Sequence, residues 1–176
     1  MHYDQLRSKS SEDSRFKPSL EACLLLRMKP HRPRPPEATS KLMSAVRATG
    51  NRAEVLFRKR LWSLGFRYRL YDRSTIGRPD LILSRWRAAV FVDGDFWHGR
   101  VFLEKGLAAL RRSLRTSRRE WWVKKILRNV ARDREVTLAL KAAGWRVIRL
   151  WERDILKEPD RAAVAVAKHV RRGRSR

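Results

Sequence analysis

Two short apolar runs set the centre of any fold this chain can adopt. DLILS (80–84) and AAVFVD (88–93) stand on either side of SRWR. Apolar runs this short, without polar alternation, suit a pair of strands buried on both faces. Helical periodicity supplies their cover. Residues 52–64 place Ala53, Leu56, Phe57, Leu61 and Leu64 on one face, and Gly65 stops the run. Residues 118 to about 143 form the longest expected helix, with Trp122, Ile126, Val130 and Leu140 on one side and Lys124, Lys125, Arg128 and Arg132 elsewhere. FRYRLYD (66–72) alternates Phe66, Tyr68 and Leu70 with Arg67, Arg69 and Tyr71, the period of a half-buried strand. STIGRP is turn-rich, WRVIRLWE (145–152) reads as a further strand, and residues 159–172 as an Ala/Val-rich closing helix. The order helix, strands, long helix, strand, helix specifies an α/β domain with a central mixed β-sheet flanked by helices. Four prolines between positions 30 and 37 oppose both helix and central strand. Residues 1–39 are therefore expected to be a flexible leader, 40–158 the domain proper, and 159–176 a C-terminal helix and basic tail.

The charge narrows the partner. The net charge is +25, and residues 40–158 still carry +17 of it once residues 1–39 and 159–176 are set aside. A folded surface this basic opposes its own compaction unless a polyanion absorbs the charge, and double-stranded DNA is the first candidate. No apolar stretch of ~18 residues is present for a membrane span, and the start lacks a signal-peptide pattern. The chain is read as cytoplasmic and monomeric, with no membrane partner. Its single cysteine, Cys23, permits neither an intrachain disulfide nor a cysteine-built zinc site.

The chemistry concentrates in FVDGDFWHG (91–99). Asp80 opens one apolar run and Asp93 closes the next, so neighbouring strands can bring the two carboxylates together. Two carboxylates at one sheet edge repel unless a cation lies between them, and hard oxygen ligands favour Mg²⁺ or Mn²⁺. Such an ion clamps a phosphate and activates water. His98 adds a group that exchanges protons near neutral pH. Glu54 lies at the edge of its helix's apolar stripe and can reach the same pocket. Each has a plainer reading. Glu54 suits a solvated ion pair with Arg58 at i+4, Asp80 and Asp93 suit loop-end caps or arginine partners, and His98 suits a satisfied structural histidine.

Three stretches carry a resemblance: LMSAVRATGNRAEVLFRKRLWSLGFRYRLYDRSTIGRPDLIL, AAVFVDGDFWHG and EWWVKKILRNVARDREVTLALKAAGWRVIRLWE. With the motifs MSAVR, GRPD, FVDG-x-FWHG, N-x-x-RD and GWRVIRLWE in colinear order over residues 40–155, the chain resembles the very short patch repair (Vsr) DNA mismatch endonuclease family. The resemblance implies a restriction-endonuclease-like, PD-(D/E)xK-type core. It also implies Mg²⁺-dependent nicking 5′ to the thymine of a T:G mismatch, beside mismatch-repair proteins as partners. It makes Asp80 the principal metal carboxylate, helped by the Val92 carbonyl, and His98 a catalytic histidine, with Glu54 the acidic helix residue. Met43, Phe96 and Trp97 match residues that wedge into the base stack, where apolar insertion costs least at faulty pairs; core packing is the alternative for Phe96 and Trp97. Lys124 and Arg128 are the expected contacts to DNA from the long helix.

Two departures stand out. Position 93, often histidine in the family, is aspartate here, and is expected to add a carboxylate ligand. The family's structural zinc positions correspond to Asp95, Arg100, Phe102 and Arg153, so no zinc is expected, and an Asp95–Arg153 ion pair is expected to tie the FWHG loop to the following strand. A homing or defence nuclease that cuts matched DNA, and a catalytically inactive DNA-binding protein, remain the alternatives.

Overall fold

A computed structural model describes residues 50–172. Met43 and the proline-rich segment lie outside them. Helix α1 (Arg52–Ser63) starts where the Asn51 side chain accepts the Glu54 N–H at 2.8 Å, satisfying one of the first-turn donors that a helix leaves unpaired. Strands β1 (Arg69–Leu70), β2 (Leu81–Leu83), β3 (Ala88–Asp93) and β4 (Arg146–Trp151) form one sheet in the order β1-β2-β3-β4. The first two pairings are antiparallel and the third parallel. Two helices, α2 (Arg100–Ser113) and α3 (Arg119–Ala142), connect β3 to β4. Short α4 (Glu152–Lys157) and α5 (Pro159–Arg172) complete the chain.

β2 and β3 are buried over nearly their whole length, as uninterrupted apolar runs require. Ile82, Ala89 and Phe91 share one sheet face and pack with Leu140 of α3. Leu81, Leu83, Ala88 and Val90 point the other way and are equally buried. On that side α1 closes on α4 and α5 through Ala53, Phe57, Leu61, Ala162, Ala163 and Val166. A second cluster, Leu110, Leu114, Val123 and Ile126, joins α2 to α3. Among the described residues no helix is long and apolar enough to cross a membrane.

Three expectations change. The strand expected over 66–72 shrinks to Arg69–Leu70, because Phe66 turns into the core against Trp86 (ring centroids 4.7 Å) and Tyr71 takes a positive φ of 49° that ends the extended run. Leu64 is exposed rather than on the buried face of α1, a place taken by Glu54. Helices α2 and α4 are additional to the sequence reading. A break at Gly106 (φ 79°, ψ 179°) splits the period of α2, and α4 spans only six residues, too few to show one.

The topology decides what meets where. Antiparallel pairing of Leu81 with Val90 sets Asp80, just before β2, beside the last residues of β3. Parallel pairing of Asp93 with Trp151 brings Arg149, two residues earlier on β4, to the same end of the sheet.

Candidate active site

Asp80 is delivered by a loop pressed onto α3. Gly77 has φ +77°, and a Cβ there would lie 2.2 Å from Val136 Cγ1, so only glycine allows the approach. The Asp80 carboxylate accepts the Val92 N–H at 2.7 Å. Burial drives its pKa up to about 6; the Val92 hydrogen bond pulls it down, and the nearby charges of Glu54 and Asp93 push it further up. Among the described residues it is the carboxylate of this group that makes no ion pair with an arginine or lysine.

Glu54 is 2% exposed, so the solvated alternative for it does not hold. Its Oε2 accepts the Gly50 N–H at 2.7 Å, and its Oε1 takes the Arg58 guanidinium at 3.4 Å and the Tyr71 hydroxyl. Asp93, expected as a metal ligand, has a different partner. Arg149 grips it in a two-pronged pair, Nε to Oδ2 at 2.6 Å and Nη2 to Oδ1 at 2.7 Å. Both Asp93 oxygens are held by one guanidinium, a two-pronged ion pair that fixes this end of the site.

His98 ends the turn after β3. Its Nδ1 lies 2.6 Å from Asp133 Oδ2 on α3 and 3.3 Å from Asp93 Oδ1. A carboxylate only accepts, so Nδ1 carries the proton and Nε2 faces away from the pair. Burial pulls the imidazole pKa down, but the Asp133 hydrogen bond and the Asp93 and Asp133 charges outweigh it and raise the net value. Arg149 also reaches Asp133 (Nη2 to Oδ1, 3.2 Å). One turn before Asp133, Asn129 Nδ2 donates to the Trp97 carbonyl at 2.9 Å. Gly99 closes the turn at φ +69° against Val130 and Ile126, where a Cβ would lie 2.7 Å from Val130 Cγ2.

Sequence reasoning assigned no role to Asp133, Arg149 or Tyr71. Asn129 and Asp133 bracket the N-x-x-RD motif with the i, i+4 spacing that shares a helix face. Arg149 had its own signal: a charge inside the run WRVIRLWE, between buried Ile148 and Leu150. Tyr71 had none beyond its place in an alternating run.

Phe96 is 45% exposed and stands edge-on to Trp97 at 5.3 Å. Both lean on Trp122, at 5.3 and 5.6 Å, and Trp121 adjoins it at 4.7 Å. This is an aromatic platform open on one side. Lys124 and Arg128 are exposed on the same helix, α3. Among the described residues no group of three His, Cys, Asp or Glu surrounds a possible metal position.

A family model described as DNA mismatch endonuclease Vsr matches residues 34–104. The type II nicking enzyme V.NmeDIP of Neisseria meningitidis serogroup C is 40% identical over 136 residues, 77% of this chain and 88% of its own length. The type II nicking enzyme V.HpaIIP of Haemophilus parainfluenzae is 38% identical over 136 residues, 77% and 92% of the two chains. The chain belongs to the Vsr family. The DNA mismatch endonuclease Vsr of Escherichia coli K12 is 35% identical over 114 residues, covering 64% of this chain and 68% of that one.

Asp95, Arg100, Phe102 and Arg153, where an Asp95–Arg153 ion pair was expected, are built around a different pairing. Arg100 is the hub. Its Nη1 meets Asp95 Oδ1 and Asp154 Oδ1, each at 2.8 Å, and its Nε meets Glu104 Oε1 at 2.7 Å. Arg153 contributes its backbone N–H to Asp95 Oδ2 at 3.2 Å, and Phe102 packs against the α2–α3 cluster. One guanidinium thus links the FWHG turn, α2 and α4. Arg100→Ala leaves three half-exposed carboxylates facing one another, so the melting temperature in a thermal scan should fall by about 5 °C, the order expected for 1–2 kcal/mol in a domain of this size. Arg153→Ala, which keeps the backbone donor, should leave it within about 1 °C.

Proposed function

We propose that this chain nicks one strand of duplex DNA at a T:G mismatch, with Mg²⁺ held by Asp80 and the Val92 carbonyl on a restriction-endonuclease-like core. Its relatives are named for nicking and for DNA mismatch cleavage. The observation that supports the reading is the placement, at one end of the sheet, of a half-buried carboxylate that makes no ion pair among the described residues and an imidazole oriented by Asp133. A single catalytic centre on a monomer cuts one strand, and the chain would act wherever the cell's DNA lies.

The residues divide the work. The metal, when bound, polarises the scissile phosphate and lowers the pKa of water. Asp80 supplies its charged anchor, and the Val92 N–H orients the carboxylate. His98, fixed through Nδ1 by Asp133, presents Nε2 for proton transfer at the water or the leaving oxygen. Arg149 holds Asp93 and Asp133 in place around that imidazole. Phe96 and Trp97, backed by Trp122, insert beside the mismatch, where pairing is already weak. Lys124 and Arg128 supply salt-sensitive phosphate contacts that carry no sequence information.

The test compares matched and T:G duplexes with Mg²⁺ under single-turnover conditions. Nicking of the mismatched duplex alone, 5′ to its thymine, is the expected result. Equal cutting of both duplexes would replace the repair reading with a nuclease for intact DNA, and binding without cutting would remove catalysis from the account.

A further inference from the structure

We propose that Tyr71 is a positioning residue that holds the Glu54 carboxylate in register with Asp80 for phosphodiester cleavage. The inference rests on the nuclease reading above and adds a residue to it.

Three connections meet at Tyr71. Its backbone N–H donates to the Asp80 carbonyl at 3.4 Å. Its hydroxyl donates to Glu54 Oε1 and accepts from Arg58 Nη1 at 3.4 Å. One residue therefore links the backbone at Asp80, through its N–H, to the first turn of α1, which carries Glu54, through its hydroxyl. The two acids otherwise belong to elements with no covalent reason to keep a common geometry. The remaining Glu54 oxygen is held by the Gly50 N–H at 2.7 Å.

The backbone supports the same conclusion. Tyr71 sits in the left-handed region at φ 49°, where a bulky residue is an outlier that its surroundings must hold in place. Regular alternation from Leu70 would leave the next side chain standing off the sheet. The positive φ instead carries the ring back toward α1. The Glu54 carboxylate can only accept, so the Tyr71 hydroxyl is the donor between them. A hydrogen bond to a carboxylate is roughly twice as strong as a neutral one, and without it Glu54 keeps one backbone donor and the long 3.4 Å contact to Arg58.

A double-mutant cycle in the full chain decides the matter, read as single-turnover nicking rate, DNA Kd without divalent metal, and melting temperature. Tyr71→Phe keeps the ring and the turn and removes the donor. It should slow nicking by about 10-fold, the scale of a modest misplacement of a catalytic group, with Kd within about twofold and the melting temperature within a few degrees. In a Glu54→Gln background the same change should alter the rate by less than about twofold, because residues acting through one another are not additive. A full 10-fold loss in that background would overturn the inference. So would an unchanged rate, a Kd that weakens in step with the rate, or a melting-temperature drop large enough to account for the loss. If the unaltered protein nicks no duplex at all, the nuclease reading falls and takes this inference with it; nicking with additive losses removes the inference alone.

Discussion

Asp80→Asn should nearly abolish nicking while making the protein more stable. The loss follows from chemistry: a metal acting as Lewis acid and water activator contributes several kcal/mol, so removing its charged anchor costs roughly 10³-fold or more in rate. The gain follows from linkage. An acid held at about 6 instead of 3.8 binds its proton more tightly in the folded chain than in the unfolded one. Its ionisation therefore costs stability progressively from about pH 4 to pH 6, and the full cost is present at neutral pH. At about 1.4 kcal/mol per pH unit the penalty is on the order of 3 kcal/mol. Asparagine removes the charge and keeps an oxygen for the Val92 N–H. Thermal unfolding at pH 7.5 without metal should rise by several degrees. A variant both inactive and less stable would show that Asp80 serves the fold.

Arg149→Ala is the opposite case. It leaves Asp93, 4% exposed, and the half-buried Asp133 as anions beside His98, with the guanidinium that bridged them gone. Breaking a buried pair from one side costs about 3–5 kcal/mol, and the stacking of Arg149 over Phe91 at 4.7 Å is lost as well. The melting temperature should drop by about 10 °C or more. Asp93→Asn combined with Arg149→Met should recover part of that drop, because an uncharged pair has no orphaned anion. A single variant that melts within 2–3 °C of the parent, a range set by roughly 1 kcal/mol, would show that the pair is not structural.

What could be read beforehand follows from the range over which each feature acts. β2, β3, α3 and α5 announce themselves because burial imposes a period on consecutive residues, and that period survives in DLILS, AAVFVD and the Ala/Val helix. Asp80 and His98 were legible because strand ends and turns are named by their neighbours, Pro79 and Gly99. Asp93 was legible as an acid in the right place, but its partner lies 56 positions away, and no local pattern specifies an ion pair between parallel strands. Arg100 illustrates the same limit: its guanidinium hub depends on Asp154, which only the packing of α4 brings near. Tyr71 reads as one step of an alternating strand until its φ is known. Met43 falls outside the described residues.

The account turns on one coordination event, a divalent cation taken up at Asp80 when DNA is in place. Calorimetric titration of Mn²⁺ into metal-depleted protein bound to a T:G duplex with a non-hydrolysable linkage at the nick position measures it directly. The unaltered protein should take up the ion, and Asp80→Asn on the same duplex should lose that uptake. Equal uptake by both proteins, or none by the unaltered one, would contradict the account.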